Sequence, residues 1–229
     1  MNTKIKKSDL YVGIPAWNEE SHIAGVIARL RAEGFENVAV VDDGSTDNTF
    51  EAAQKAGALV LRHPINCGAG AAVQTLIELA RVEDWQYLQL IDADGQHFAS
   101  DIIRLMNKAE AENLDLTIGS RFMTEGNEIP AIRRIFNRLG NVLTNSFCKQ
   151  NFTDTQSGFR LLNRRAIEKI ELASNGFGFC SEMLLRAEKA GLKIGEAPIS
   201  VLYTEYSMSK GQTSLQNGFR TAWQFIEHL

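Results

Sequence analysis

The chain has 229 residues, 44% of them hydrophobic, enough for one large domain with a substantial core. Its 24 Lys and Arg against 28 Asp and Glu give a net charge of −4, which leaves no global basic field for nucleic acid, so any polyanion site must be local. Cys67, Cys148 and Cys180 are widely spaced, with no Cys-x-x-Cys pair and no histidine read at metal-ligand spacing. Together with a Lys-rich start lacking an apolar signal region and no apolar run long enough to span a bilayer, they predict a reduced, cytoplasmic chain, soluble or peripheral.

Residues 10–14 read as a first strand, stopped by Pro15. Apolar residues at Ile23, Val26, Ile27 and Leu30 then place a helix over 21–33, closed by Gly34. Residues 38–41 form a second buried strand that runs into Asp42 and Asp43. Ser45, Thr46, Asp47 or Asn48 caps the next helix, which continues to Ala56 and ends at Gly57 before a strand over 58–61. A helix opens over 66–72 and ends near Ala80. Its Gly68-x-Gly70 is not a dinucleotide fingerprint, because Val73 replaces the third glycine and residues 63–66 separate the turn from any strand. A close backbone approach or helix packing accounts for it instead. Residues 87–91 form the central strand, 101–112 a helix, and 114–119 a strand before Ser120 and Arg121. This alternation implies an α/β fold, mainly a parallel sheet with helices on both faces.

The second half changes character. A loop over 125–130 precedes a helix over 133–147 with Ile135, Phe136, Leu139, Val142, Leu143 and Phe147 apolar and Arg133, Arg134 and Arg138 basic. Such a helix suits a membrane interface, or a core helix with a charged outer side. Residues 154–160 read as a polar turn leading into Leu161 and Leu162. Helices follow over 164–172 and 181–190, then Gly191, a strand-like stretch over 193–201, and an apolar-periodic helix over 214–229 that docks on the body.

The central strand ends in Asp92 and Asp94, where ligands of open α/β sheets collect. A turn at Gly95 swings the second carboxylate back beside the first, and with Gln96 they form a hard oxygen set suited to Mg2+ or Mn2+ and, through it, to the phosphates of a nucleotide. Taken alone, the same residues also serve as a turn and helix cap. A calcium loop is excluded, since its sixth position is His97 rather than Gly and its twelfth is Ile103 rather than Glu.

Taken together, Pro15-Ala16-Trp17-Asn18-Glu19, Val41-Asp42-Asp43-Gly44-Ser45-Thr46-Asp47, Asp92-Ala93-Asp94-Gly95-Gln96-His97, Gly119-Ser120-Arg121 and Gln156-Ser157-Gly158-Phe159-Arg160 resemble the family 2 glycosyltransferases, and among them the dolichyl or polyprenyl phosphate sugar synthases. The resemblance implies a single GT-A domain over 1–229, with a nucleotide-sugar half over 1–121 and an acceptor half over 122–229. It also implies an inverting, metal-dependent transfer of one sugar from a UDP- or GDP-linked donor. In that likeness Pro15, Asn18, Glu19, Asp43, Asp92 and Ala93 hold the nucleotide sugar, and Asp92, Asp94 and Gln96 hold Mn2+ or Mg2+. Asp94 and Arg121 act at the reacting centre, and Arg133, Arg134, Arg160 and Lys210 meet diphosphate or acceptor phosphate.

The acceptor decides whether a base is needed. A sugar hydroxyl on a polysaccharide or glycolipid must lose its proton as it attacks, and Asp154 and Glu182 are then the candidate bases. A polyprenyl phosphate is already an anion, and the basic amphipathic helix then meets its head group on the inner face of the cytoplasmic membrane, alone or beside a membrane-spanning partner protein. The chain departs from the family pattern at Ala69, where Lys is common, and at 203–206, where Arg is common. A non-catalytic nucleotide-sugar-binding subunit and a metal-dependent nucleotidyltransferase, which would release pyrophosphate, are the remaining alternatives.

Overall fold

The computed structural model describes residues 4–124, 126–127, 129–176 and 178–202, apart from the side chains of Ala131, Ile132, Arg133 and Phe136. The expected 214–229 helix, Lys210 and residues 203–206 lie outside the described residues, as does the side chain of Arg133. Among the described residues seven strands form one sheet: β1 (Leu10–Ala16), β2 (Val38–Asp42), β3 (Leu59–Arg62), β4 (Tyr87–Leu90), β5 (Leu116–Ser120), β6 (Arg160–Asn163) and β7 (Ile194–Pro198). Their order is β3-β2-β1-β4-β6-β5-β7. Only β6 runs antiparallel to its neighbours, β4 and β5. The helices are α1 (Ile23–Ala32), α2 (Thr49–Lys55), α3 (Ala69–Val82), α4 (Asp101–Glu112), α5 (Ala131–Asn145), α6 (Arg164–Lys169) and α7 (Phe179–Lys189).

The continuous apolar runs follow from burial on both faces of the sheet. In β2, Val38 and Val40 enter one core with Ile23, Ile27 and Leu30 of α1 and Ile102 and Leu105 of α4. Ala39 and Val41 enter the opposite core with Leu76 and Ile77 of α3, Ile167 of α6 and Met183 of α7. The expected α/β fold with a mainly parallel sheet is therefore what forms.

Pro15 does not end the first strand, which continues to Ala16 opposite Asp42. Along β1 the backbone groups alternate sides: Val12 and Ala16 bond toward the β2 side and Gly13 toward β4. Pro15 therefore turns its missing N–H toward β4, whose pairing with β1 has already stopped at Gly13 opposite Leu90. The other difference is β6, which sequence pattern presented only as the end of a polar turn. It inserts between β4 and β5 and brings Gly158 beside Asp92.

Gly68 and Gly70 are explained by close backbone approach. A side chain built on Gly70 would place its Cβ 1.9 Å from the Ser174 carbonyl oxygen, and one on Gly68, at φ +102°, 2.2 Å from that of Asn175. Gly70 N–H instead donates to Asn175 O at 2.8 Å, clasping the start of α3 to the 174–176 loop.

Candidate active site

The carboxyl ends of β1, β2 and β4 lie side by side, so the loops after them converge. Two of these loops are stapled together. Asn18, in the left-handed region at φ 53°, receives a bond from Thr46 N–H on Oδ1 and donates its own N–H to Ser45 Oγ. Glu19 N–H donates to Thr49 Oγ1 at 2.7 Å, and the Glu19 side chain is buried. Asp43, also buried, accepts Cys67 N–H on Oδ1 and Gly68 N–H on Oδ2, while His63 Nδ1 lies 2.7 Å from Oδ1. Pro15, Asn18, Glu19 and Asp43 are thus brought to one edge of the sheet, with Ala93 buried on the loop beyond β4.

The Asp92–His97 turn is organised by its own polar groups. Gln96 donates its backbone N–H to Asp94 Oδ1 at 3.0 Å and its side-chain amide to Oδ2. His97 Nε2 lies 3.2 Å from Asp92 Oδ2, and its ring packs against Phe159 at 5.0 Å between centroids. On the other side of Asp92 stands Gly158, where a Cβ would come within 2.8 Å of Oδ1. The glycine of the Gln-Ser-Gly-Phe-Arg motif therefore makes room for a carboxylate.

The two acids are driven apart electrostatically. Partial burial opposes ionisation of Asp92, whose side chain is 46% exposed, but the hydrogen bond and charge of His97, and then the charge of Arg121, outweigh it and hold Asp92 below the ordinary carboxylate range. Asp94 is pushed above that range, first by burial and then by repulsion from Asp92. A hard dication would relieve that repulsion, and two carboxylates with an amide oxygen nearby form the donor set it requires, so these residues fit Mg2+ or Mn2+.

Arg121 is clamped to Asp154. Its backbone N–H and Nε donate to Oδ2 at 3.0 and 2.7 Å, and Nη2 to Oδ1 at 2.8 Å. Asp154 is wholly buried. Glu182 accepts Ala173 N–H on Oε1 and Ser174 N–H on Oε2, and Arg186 also reaches Oε1. It holds the loop that the glycines of α3 clasp. Arg160 does not lie on an open surface: its wholly buried guanidinium braces the 155–157 turn through Ser157 O and Thr155 O, leaving Nη1 unpartnered.

Helix α5 is turned opposite to a core helix. Its inner side is polar: Asn141 Nδ2 donates to Thr153 O, Asn141 Oδ1 accepts from Thr155, and Thr144 Oγ1 meets Ser181 Oγ at 2.8 Å. Ile135, Leu139 and Val142 are 65%, 59% and 65% exposed, with Arg134 and Arg138 exposed beside them. No helix among the described residues is long and apolar enough to cross a membrane.

Three features escaped sequence reasoning. His97 was visible only as a motif letter, Gly158 as a turn residue, and the Asp43, His63 and Cys67 grouping was missed altogether. The last was legible, because His63 and Cys67 are four apart after a strand, a spacing that a loop can close onto one ion.

The model of glycosyl transferase family 2 matches residues 11–171. An uncharacterised protein of Methanocaldococcus jannaschii is 39% identical over 227 residues, covering 97% of this chain and 93% of that one. The UDP-N-acetylglucosamine–dolichyl-phosphate N-acetylglucosaminyltransferase of Methanococcus voltae is 30% identical over 238 residues, covering 95% of this chain and 94% of its own. In three dimensions the chain is similar to glucosyl-3-phosphoglycerate synthase from Mycobacterium tuberculosis in complex with Mn2+, uridine diphosphate and its product. That match has a TM-score of 0.66 at 18% identity over 93% of this chain and 77% of that one.

Proposed function

The chain belongs to glycosyl transferase family 2, with a GT-A fold, and we propose that it moves one sugar from a nucleotide-diphosphate sugar to a polyprenyl phosphate, with inversion, at a membrane surface. The observation that carries this reading is the state of the two acceptor-side carboxylates. Asp154 is enclosed and bound on both oxygens by Arg121, and Glu182 is occupied by two backbone N–H groups and Arg186. Neither is poised to take a proton from an attacking hydroxyl, and a phosphate acceptor needs no base. Both are positioning residues in this reading: Asp154 aims Arg121, and Glu182 fixes the loop against α3. The outward apolar stripe of α5, flanked by Arg134 and Arg138, supports a lipid-borne acceptor and a peripheral membrane location. The dolichyl-phosphate relative from Methanococcus voltae points the same way.

The residues divide the work. The stapled loops bearing Pro15, Asn18 and Glu19, with Asp43, bracket the nucleoside, whose N–H and hydroxyl groups suit carboxylate and amide acceptors. Asp92, Asp94 and Gln96 would hold Mg2+ or Mn2+, which when bound supplies the positive charge that a departing nucleoside diphosphate requires. Arg121, oriented by Asp154, presents further positive charge near Asp92. Arg134 and Arg138 on α5, with Arg133 and Lys210 outside the described side chains, are proposed to meet the acceptor phosphate.

The test is transfer of labelled sugar from UDP-glucose, UDP-N-acetylglucosamine and GDP-mannose, with Mg2+ or Mn2+, into organic solvent in the presence of polyprenyl phosphate. Label entering the organic phase, and lost on chelation, is the expected result. Nucleotide release with label confined to water-soluble or polysaccharide acceptors would overturn the lipid-phosphate reading.

A further inference from the structure

We propose that Asp43, His63 and Cys67 form a second cation site, for a borderline ion of the zinc type, set into the wall of the nucleoside pocket. The three side chains come from the end of β2, the residue after β3 and the loop before α3, and one ligand atom from each lies within 4.8 Å of the others. Donors sharing a tetrahedral zinc are about 3.3–3.7 Å apart, given bonds of about 2.0–2.3 Å, so modest side-chain rotation closes the set. Carboxylate oxygen, imidazole nitrogen and thiolate sulfur suit zinc, cobalt or nickel and not magnesium, whereas Asp92 and Asp94 with Gln96 are an all-oxygen set. The two sites therefore select different ions.

The surroundings are built as a ligand shell requires. Asp43 is fixed by Cys67 N–H at 2.9 Å and Gly68 N–H at 2.7 Å. His63 Nε2 lies 2.9 Å from Thr75 Oγ1, which orients the ring so that Nδ1 faces Asp43 at 2.7 Å. An ion there takes neutral imidazole through Nδ1, with the ring proton on Nε2 toward Thr75 Oγ1, and Cys67 as thiolate, so the thiol proton leaves as the ion enters. Cys67 is exposed, which gives the ion a path in and leaves its fourth position open to solvent.

The consequence rests on the reading above that Asp43 faces the nucleoside. An ion on Asp43 withdraws carboxylate acceptor capacity from the nucleotide, so zinc competes with the donor sugar while Mg2+ or Mn2+ assists it. The site would report zinc excess by slowing transfer.

Cobalt is the probe, titrated into metal-stripped full-length protein in excess Mg2+. We expect thiolate-to-cobalt absorption in the near ultraviolet and tetrahedral bands in the visible, both lost in Cys67→Ser and His63→Ala and retained in Cys148→Ser. Cys67→Ser changes one exposed atom, so an unaltered melting temperature verifies its fold. Absence of the thiolate band, or its persistence in Cys67→Ser, overturns the site. A Cys67-dependent band with zinc inhibition that donor sugar does not relieve would keep the site and refute only the placement of the nucleoside at Asp43.

Discussion

Replacing Gly70 with Ala tests the clasp between α3 and the 174–176 loop. The new Cβ would lie 1.9 Å from Ser174 O, 2.9 Å from Gly176 O and 3.0 Å from the carbonyl carbon of Asn175, all backbone atoms. An ordinary carbon-to-oxygen contact is about 3.4 Å, so the loop must retreat by roughly 1.5 Å. That retreat breaks the 2.8 Å bond from Gly70 N–H to Asn175 O, a net loss of about 1 kcal/mol. Overpacking and strain on the Glu182 bonds to Ala173 and Ser174 add about 2–4 kcal/mol. The gain of alanine over glycine in a helix offsets at most about 1 kcal/mol. The expected net destabilisation is about 2–4 kcal/mol, or roughly 5–15 °C in Tm for a domain of this size. The control is Gly25→Ala, in α1, where only Arg29 Nη1 comes within 4 Å, at 3.6 Å. It should stabilise by about 0.5–1 kcal/mol. Thermal and urea unfolding of both variants decide the matter. A Gly70→Ala protein as stable as wild type, or a Gly25→Ala protein that loses stability, refutes the steric reasoning.

Glu182 is held below the ordinary carboxylate range, since hydrogen bonds from Ala173, Ser174 and Arg186 overcome the opposing effect of burial. Its contribution is therefore complete above the unfolded value and is lost as pH falls through the depressed folded one. Glu182→Gln should cost about 1–3 kcal/mol at neutral pH, narrowing in acid. A gap in urea midpoints that stays constant down to acid pH would contradict this. His97→Ala removes the partner of Asp92 and should raise the Mn2+ concentration for half-maximal activity about 10–100-fold; an unchanged metal titration would exclude that role. Leu139→Glu removes an exposed apolar contact worth about 1.5–3 kcal/mol if it enters lipid, so partition onto anionic vesicles should fall about 10–100-fold. Asn141→Ala should leave vesicle binding intact and lower lipid-linked transfer, because it cuts α5 from Thr153 and Thr155; parallel losses in both assays would argue against separate roles.

The parts of the fold that sequence exposed are those set by local physics. Buried parallel strands show as unbroken apolar runs, and helices α1, α3 and α4 show their periodicity because each packs one face on the sheet. The loops after β1, β2 and β4 were legible because each follows an apolar run at the strand's carboxyl end, where ligands of open α/β sheets collect, and because their motifs occur together. Long-range pairings were not legible. Pro15 looked like a stop because the side on which its missing N–H falls depends on where β4 ends, and that is a property of another strand. Arg160 looked like a phosphate ligand because burial cannot be read from a lone arginine, yet it is enclosed at the start of β6. Asp154 and Glu182 looked like free acids for the same reason.

The orientation of α5 joins the membrane question to the chemistry. A helix with polar groups inward is unusual, since burial normally selects the apolar face. Here the segment next to Arg121 satisfies Asn141, through Thr153 and Thr155, and Asn145, through the Phe152 backbone, while Ser181 of α7 meets Thr144. The same segment presents Asp154 to Arg121. A surface seated on Ile135, Leu139 and Val142 would thus sit one helix diameter, about 10 Å, from the backbone that aims the arginine. A phosphate at the head-group level reaches such a site without the lipid tail leaving the bilayer. A soluble sugar gains nothing from an apolar outer face, which would only favour aggregation. The inverted polarity of α5 is intelligible when the helix is a spacer that fixes the height of the reacting centre above the membrane.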